Sequence, residues 1–353
     1  MNLKDGVKTA ENKVSTEARR LSDMVKDSNK SLVDRLECFE DIISLEVGDT
    51  GLHRAKTLER EFNVRQLYLK YEGDNPTGTQ KDRIAFAQLY DALRREFTVV
   101  SLATCGNYGV AMALASDLAG IACKIYIPES YHTDRVVEME ALNAEIIRIP
   151  GSYEDVVTKS SKLAAEHGWY DANPGGANTP LQISAYAQIA QEIFEDLGDA
   201  PKYCAVPVSN GTLFAGIYRG FVNLYKRGKT SRIPKMIAAS SSHKNPIVES
   251  YLQGLDHCKD LNPAAIKETK YNEPLINWHS FDGEEALYAL QDSEGEAFNI
   301  SDKKLKEMTS LLHKKEGFRI LPASTAGLIG LLELDEKMNF EPDRFVAVLT
   351  AKN

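Results

Sequence analysis

The sequence predicts an α/β protein of two doubly wound lobes with mainly parallel sheets. From Gly48 onward, short β-branched or apolar runs alternate with helix-length segments, and several runs pass through a small-residue loop straight into a helix. Strands spaced by helices pair in parallel through right-handed crossovers, and a uniformly apolar run such as 204–208 suits a sheet buried on both faces. The 353 residues, 43% hydrophobic and 26% charged, suffice for two lobes with separate cores.

Residues 1–45 are rich in Lys, Glu, Asp and Ser. A weak helical period at Leu21, Met24 and Val25 predicts helix there, either covering a neighbour or lying in solvent. Strands are then expected at 66–70, 98–103, 122–127, 145–149 and 203–208, with helices at 82–96, 107–119, 135–143, 153–167, 181–197 and 213–227. After a break at 229–234 come a strand at 235–239, a long polar stretch to Ser280, helices at 284–291 and 302–316, and a last strand at 345–350. The expected division is a helical extension (1–45), an N-terminal lobe (46–200) and a C-terminal lobe (201–353), with a ligand between the lobes beyond the carboxyl ends of the strands.

The net charge of −9 disfavours sequence-independent nucleic-acid binding and points to a small-molecule partner. Five scattered cysteines without a Cys-x-x-Cys pair signal neither a zinc ribbon nor a disulfide framework, and read as reduced thiols. Seven histidines lack ligand spacing, so no metal is expected. No apolar stretch has the length of a signal peptide core or a membrane span, so a cytoplasmic protein with no membrane partner is expected.

Four segments carry chemistry. Lys81 lies in Tyr71-Glu72-Gly73-Asp74-Asn75-Pro76-Thr77-Gly78-Thr79-Gln80-Lys81-Asp82-Arg83, where Asn-Pro and Thr-Gly make a turn between a strand and a helix. The amine at that boundary reads as a covalent catalyst or, equally, as ordinary charge on a solvated helix start. In the second segment, Thr104-Cys105-Gly106-Asn107-Tyr108-Gly109, a strand turns through glycine into a helix whose first amides favour an anion such as a substrate carboxylate. The third, Pro207-Val208-Ser209-Asn210-Gly211-Thr212-Leu213, repeats the design and suits a phosphate. The fourth is the terminal strand ending in Thr350. Each segment alone also reads as a plain structural turn or strand.

Together, and in this order, the segments resemble the fold type II pyridoxal-phosphate enzymes, the group of threonine synthase, cysteine synthase, threonine dehydratase and the tryptophan synthase β-chain. Lys70, Glu72, Asn75, Pro76, Thr77, Gly78, Lys81, Asp82 and Arg83 match the family's lysine run, with Thr79 for Ser and Gln80 for Phe. Thr104, Gly106, Asn107 and Gly109 match the asparagine loop, where Cys105 is unusual. In the phosphate loop, Ser209 and Thr212 replace glycines, which predicts a tighter loop supplemented by hydroxyl donors.

The resemblance spans 48–350 and implies pyridoxal 5'-phosphate as cofactor, held by Lys81 as a Schiff base. It further implies that Asn107 contacts the phenolic oxygen, that Val208, Ser209, Asn210, Gly211, Thr212 and Leu213 hold the phosphate, and that Thr350 faces the pyridine nitrogen. The substrate, a small amino acid, would lie against Thr104, Cys105, Gly106, Asn107 and Tyr108. The chain looks most like threonine synthase, implying a lyase or β/γ-replacement enzyme, and a homodimer is expected. Yet the family's substrate-phosphate arginine is missing from Asn173-Pro174-Gly175-Gly176-Ala177-Asn178, which leaves Lys244, Arg135 or His243, read here as surface charges, to replace it. The alternative is a non-catalytic cofactor- or amino-acid-binding protein on the same fold.

Overall fold

A computed structural model describes residues 13–104 and 106–353, so residues 1–12 of the expected extension and Cys105 of the asparagine loop lie outside the described residues. The chain divides into two compact units, the first of residues up to 48 with 75–182, the second of 49–74 with 183–353. Packing thus moves 49–74 and 183–200 out of the contiguous N-terminal lobe expected from sequence. The physical reason for 49–74 is strand pairing, described below for the second unit, and for 183–200 it is close helix packing, with Ile183, Tyr186, Ala187 and Ala190 against Gly216 and Gly220.

The first unit carries a four-stranded parallel sheet in the order β5-β4-β3-β6, from β3 (Val99–Ala103), β4 (Ala122–Pro128), β5 (Glu145–Ile149) and β6 (Tyr170–Asp171). Helices α5 (Asn107–Ala119) and α7 (Tyr153–His167) pack on β3 and β4. The N-terminal helices α1 (Thr16–Lys26) and α2 (Leu32–Glu46) are each capped by a serine, Ser15 and Ser31, that accepts a backbone N–H. They cover neighbours rather than lie in solvent. Ala18, Leu21 and Val25 are buried, Ser22 donates to the Leu118 carbonyl at 2.9 Å, and Phe39 stacks on Phe86 of α4 (Lys81–Arg94) with centroids 6.0 Å apart.

The second unit carries a six-stranded sheet in the order β1-β2-β10-β7-β8-β9, parallel throughout except for the β1–β2 edge pair. Its strands are β1 (Leu52–Arg54), β2 (Leu67–Tyr71), β7 (Tyr203–Pro207), β8 (Lys235–Ser241), β9 (Glu296–Ile300) and β10 (Phe345–Leu349). The last strand sits between β2 and β7, with Val348 opposite Lys70 and Ala347 opposite Ala205, so an early strand is drawn into the late sheet. Helix α13 (Ala326–Met338) packs on β7, β8, β9 and β10. A Cβ at Gly327 would stand 2.9 Å from the Val206 nitrogen, which explains why glycine is used where this helix meets the sheet. Among the described residues, no helix is long and apolar enough to cross a membrane.

Two polar locks set the segment before Lys81. In the second unit, the fully buried Lys70 ammonium pairs with Glu192 at 2.6 Å and donates to the Thr50 carbonyl, while Glu192 also receives the amides of Asp49 and Thr50. In the first unit, the buried Asp82 carboxylate receives both the amide and the hydroxyl of Thr77, each at 2.9 Å, closing the turn that leads into α4. Its other oxygen meets no hydrogen-bond partner among the described residues.

Lys70→Met would leave a largely buried carboxylate without its cation. It should destabilise the fold by roughly 3 kcal/mol in urea denaturation, whereas a loss below about 1 kcal/mol would show that the pair does not pin this segment. Burial pushes the Asp82 carboxyl up to about 7 against the lowering effect of Thr77. Because the folded chain then holds the proton more tightly than the unfolded chain, this group's contribution is complete below about pH 4 and is lost as pH rises through about 7. Asp82→Asn should remove that slope, which cannot exceed about 1.4 kcal/mol per pH unit. A constant stability difference between the two proteins from pH 4 to pH 8 would contradict the assignment.

Candidate active site

Lys81 opens α4 without a side-chain cap. The turn ahead of it is built by a Gly78 amide bonded to the Asn75 carbonyl and by Gly78 itself at φ +83°, a left-handed conformation that favours glycine. Thr79 stands where the family uses serine, and its hydroxyl accepts the Lys81 amide at 2.9 Å, a bond that either residue can make. The Lys81 side chain is half-buried, and its amine lies 5.5 Å from the centroid of the Tyr108 ring. The lysine run and the asparagine loop, 27 residues apart in the chain, therefore meet within the first unit.

The Tyr108 side chain is fixed by two hydrogen bonds at its tip. Its hydroxyl donates to the Ala172 carbonyl at 2.7 Å and accepts from Gln88 at 2.6 Å, and Gln88 in turn accepts from Gln182 at 3.0 Å. Burial holds this phenol well above its ordinary titration range, so it is a fixed neutral wall beside the amine and not a proton carrier. Thr104 is buried, and its hydroxyl accepts the Gly106 amide. Gly106 caps α5 with no side-chain bond to the first amides, which leaves a helix start suited to a carboxylate.

Asn107 is half-buried, and its side-chain oxygen receives the Arg135 guanidinium at 2.7 Å. Arg135 thus reaches a residue of the asparagine loop, whereas the exposed His243 ring meets Glu249 and the Lys244 amine meets the Lys267 carbonyl. Sequence reasoning had no signal for the Arg135 contact, because the two residues lie on different helices. The segment lacking the family's arginine is tied to its surroundings: the Asn173 amide group receives the Ala103 N–H and donates to Ser160, and Asn178 donates to the Asp171 carbonyl.

In the second unit, β7 leads through Val208, Ser209, Asn210 and Gly211 into α9 (Thr212–Lys226). The loop carbonyls are all engaged. Val208 receives Ser240, Ser209 receives Asn245 and Ser280, and Asn210 receives the Asp282 amide. Gly211, at φ +102°, caps the helix without a side-chain bond to its first amides, so the start of α9 through Leu213 is a ready donor set for a phosphate. A Cβ at Gly211 would stand 2.6 Å from the Asp282 carbonyl, so the glycine also permits that close approach. The Thr212 hydroxyl bonds to the Asp282 carboxylate and is not the free donor expected from sequence.

At the end of β10, Thr350 is buried and shares a hydrogen bond of 2.8 Å with the Ser324 hydroxyl, which also receives the Ala351 amide. This pair of neutral hydroxyls fits an unprotonated ring nitrogen. Within the first unit a half-buried amine and an uncapped helix start, and within the second an uncapped helix start and neutral hydroxyls, are groups whose chemistry fits pyridoxal 5'-phosphate.

Residues 43–351 match the family model described as pyridoxal-phosphate dependent enzyme. The chain is 30% identical over 311 residues, 88% of this chain and 75% of the relative, to a threonine synthase of Methanocaldococcus jannaschii. Among solved structures it is similar to maize serine racemase, with TM-score 0.74, 19% identity, and 91% and 94% of the two chains covered. It is likewise similar to threonine deaminase isoform 2 of Solanum lycopersicum, with TM-score 0.73, 18% identity, and 93% and 85% covered. At those identities the structural matches speak for the fold alone. The match over most of the chain and the fold agree: this chain belongs to the pyridoxal-phosphate dependent enzymes of fold type II, and its cofactor is pyridoxal 5'-phosphate.

Proposed function

We propose that the chain is a lyase or β/γ-replacement enzyme acting on a small amino acid, with Lys81 as the residue that holds the cofactor and moves the substrate's α-proton. The observation that carries this reading is the half-buried Lys81 amine beside the asparagine loop, 5.5 Å from the Tyr108 ring. The threonine synthase relatives support the same class of reaction.

The bound cofactor supplies an electron sink for charge at the substrate's α-carbon. The amides at the start of α5 would take the substrate carboxylate, which orients the α-hydrogen. Lys81, once displaced by the substrate amine, would serve as general base at that hydrogen. The fixed Tyr108 ring limits the space beside the amine and favours a short side chain. Thr350 and Ser324 would offer the ring nitrogen a neutral partner, which would moderate the sink and suit elimination better than transamination. Gly176 at the place of the family's arginine argues for a substrate without a phosphate group.

Loaded with cofactor, the wild-type protein should show a visible absorption band that Lys81→Ala loses. Release of oxo acid or acetate from serine, threonine or O-acetylserine should exceed phosphate release from O-phosphohomoserine or O-phosphoserine by at least about tenfold, the effect of one lost anion clamp of about 1.4 kcal/mol. A protein that takes up no cofactor would sink the reading. One that takes it up and turns over none of these would support a binding role instead.

A further inference from the structure

We propose that Arg135 is a positioning residue for Asn107: it fixes the asparagine side chain so that the NH2 group, and not the carbonyl, is presented to the cofactor's phenolic oxygen. This rests on the functional reading above. A carboxamide offers an acceptor at one end and a donor at the other, and the two ends are interchanged by a half-turn about one bond. A guanidinium can only donate, so the atom 2.7 Å from Arg135 must be the asparagine oxygen. That contact leaves the Nδ2 end directed away from Arg135, and an anionic oxygen requires a donor.

Arg135 is itself held from two sides. Its second terminal nitrogen donates to Glu138 at 2.8 Å, and the other oxygen of Glu138 pairs with Lys13 at 2.9 Å. Burial works against the Glu138 charge, but Lys13 and Arg135 outweigh it and hold this carboxyl below its ordinary range. The helix that carries them, α6 (Arg135–Ala141), is seated by Met139, one turn beyond Arg135. A Cβ on Gly109 would stand 2.5 Å from the Met139 methyl group, so the Met139 side chain lies directly against α5 at this glycine. The same helix face thus packs on α5 and delivers the guanidinium to its first residue. An exposed Arg–Glu pair three residues apart would be worth little by itself. Its reach to Asn107 gives it a consequence.

The test compares Arg135→Met, Arg135→Lys, Asn107→Ala and the Arg135→Met/Asn107→Ala double variant as cofactor-loaded proteins. The readings are the visible absorption maximum, its pH dependence, and cofactor affinity by titration, with circular dichroism to establish folding. Arg135→Met should shift the band and weaken cofactor binding about tenfold, in the same direction as Asn107→Ala. The double variant should be no worse than the poorer single one, because both remove one interaction. Arg135→Lys should recover part of the effect, since it keeps a donor without the planar fork. An unchanged band in Arg135→Met, with or without a raised KM, would overturn the proposal, as would additive effects in the double variant. A wild-type protein that takes up no cofactor would overturn both this proposal and the reading of the site beneath it.

Discussion

The Asp82 carboxylate holds the amide and the hydroxyl of Thr77, and the presentation of Lys81 depends on that clamp. A turn of Asn, Pro, Thr and Gly has many conformations open to it, and fixing each residue costs about 1–2 kcal/mol of entropy. Two hydrogen bonds from one residue to a carboxylate at the start of the following helix select one of them. The cost is a charge in an apolar place, with one oxygen lacking a hydrogen bond among the described residues and a carboxyl pushed up to about 7. Such buried polar groups are tolerated where position matters more than stability.

The same economy recurs at the other loops. At Asn107 and Thr212 a helix begins without a side-chain cap, although Ser15, Ser31, Ser152 and Ser301 cap helices elsewhere in the chain. Leaving a cap out gives up about 1 kcal/mol at each start. What it gains is amide donors and a positive dipole end available to an anionic ligand. The carbonyls of 208–210 are taken up by Ser240, Asn245, Ser280 and Asp282, so the loop's acceptors are satisfied while helix-start donors are not capped.

Much of this was legible in the sequence, because parallel strand, loop and helix follow one another with clear periodicity from 98 to 227. The site segments were legible because turn glycines and helix starts are local. What was hidden is non-local or lacks a period. Helix α13 is buried nearly all round, from Ala326 to Leu334, and so shows no polar face to mark it. Strand β2 joins β10 across the length of the chain, which no local pattern announces. Thr212 looked like a phosphate donor until Asp282, 70 residues on, proved to be its partner. Arg135 looked like surface charge for the same reason.

The central claim is that Lys81, among 42 lysines and arginines, is the amine that carries the cofactor. Borohydride reduction of the cofactor-loaded protein, followed by proteolysis and mass spectrometry, reads that attachment directly. The account predicts a single modified peptide with the pyridoxyl mass on Lys81. A label on another lysine, or cofactor bound with no reducible linkage, would contradict it.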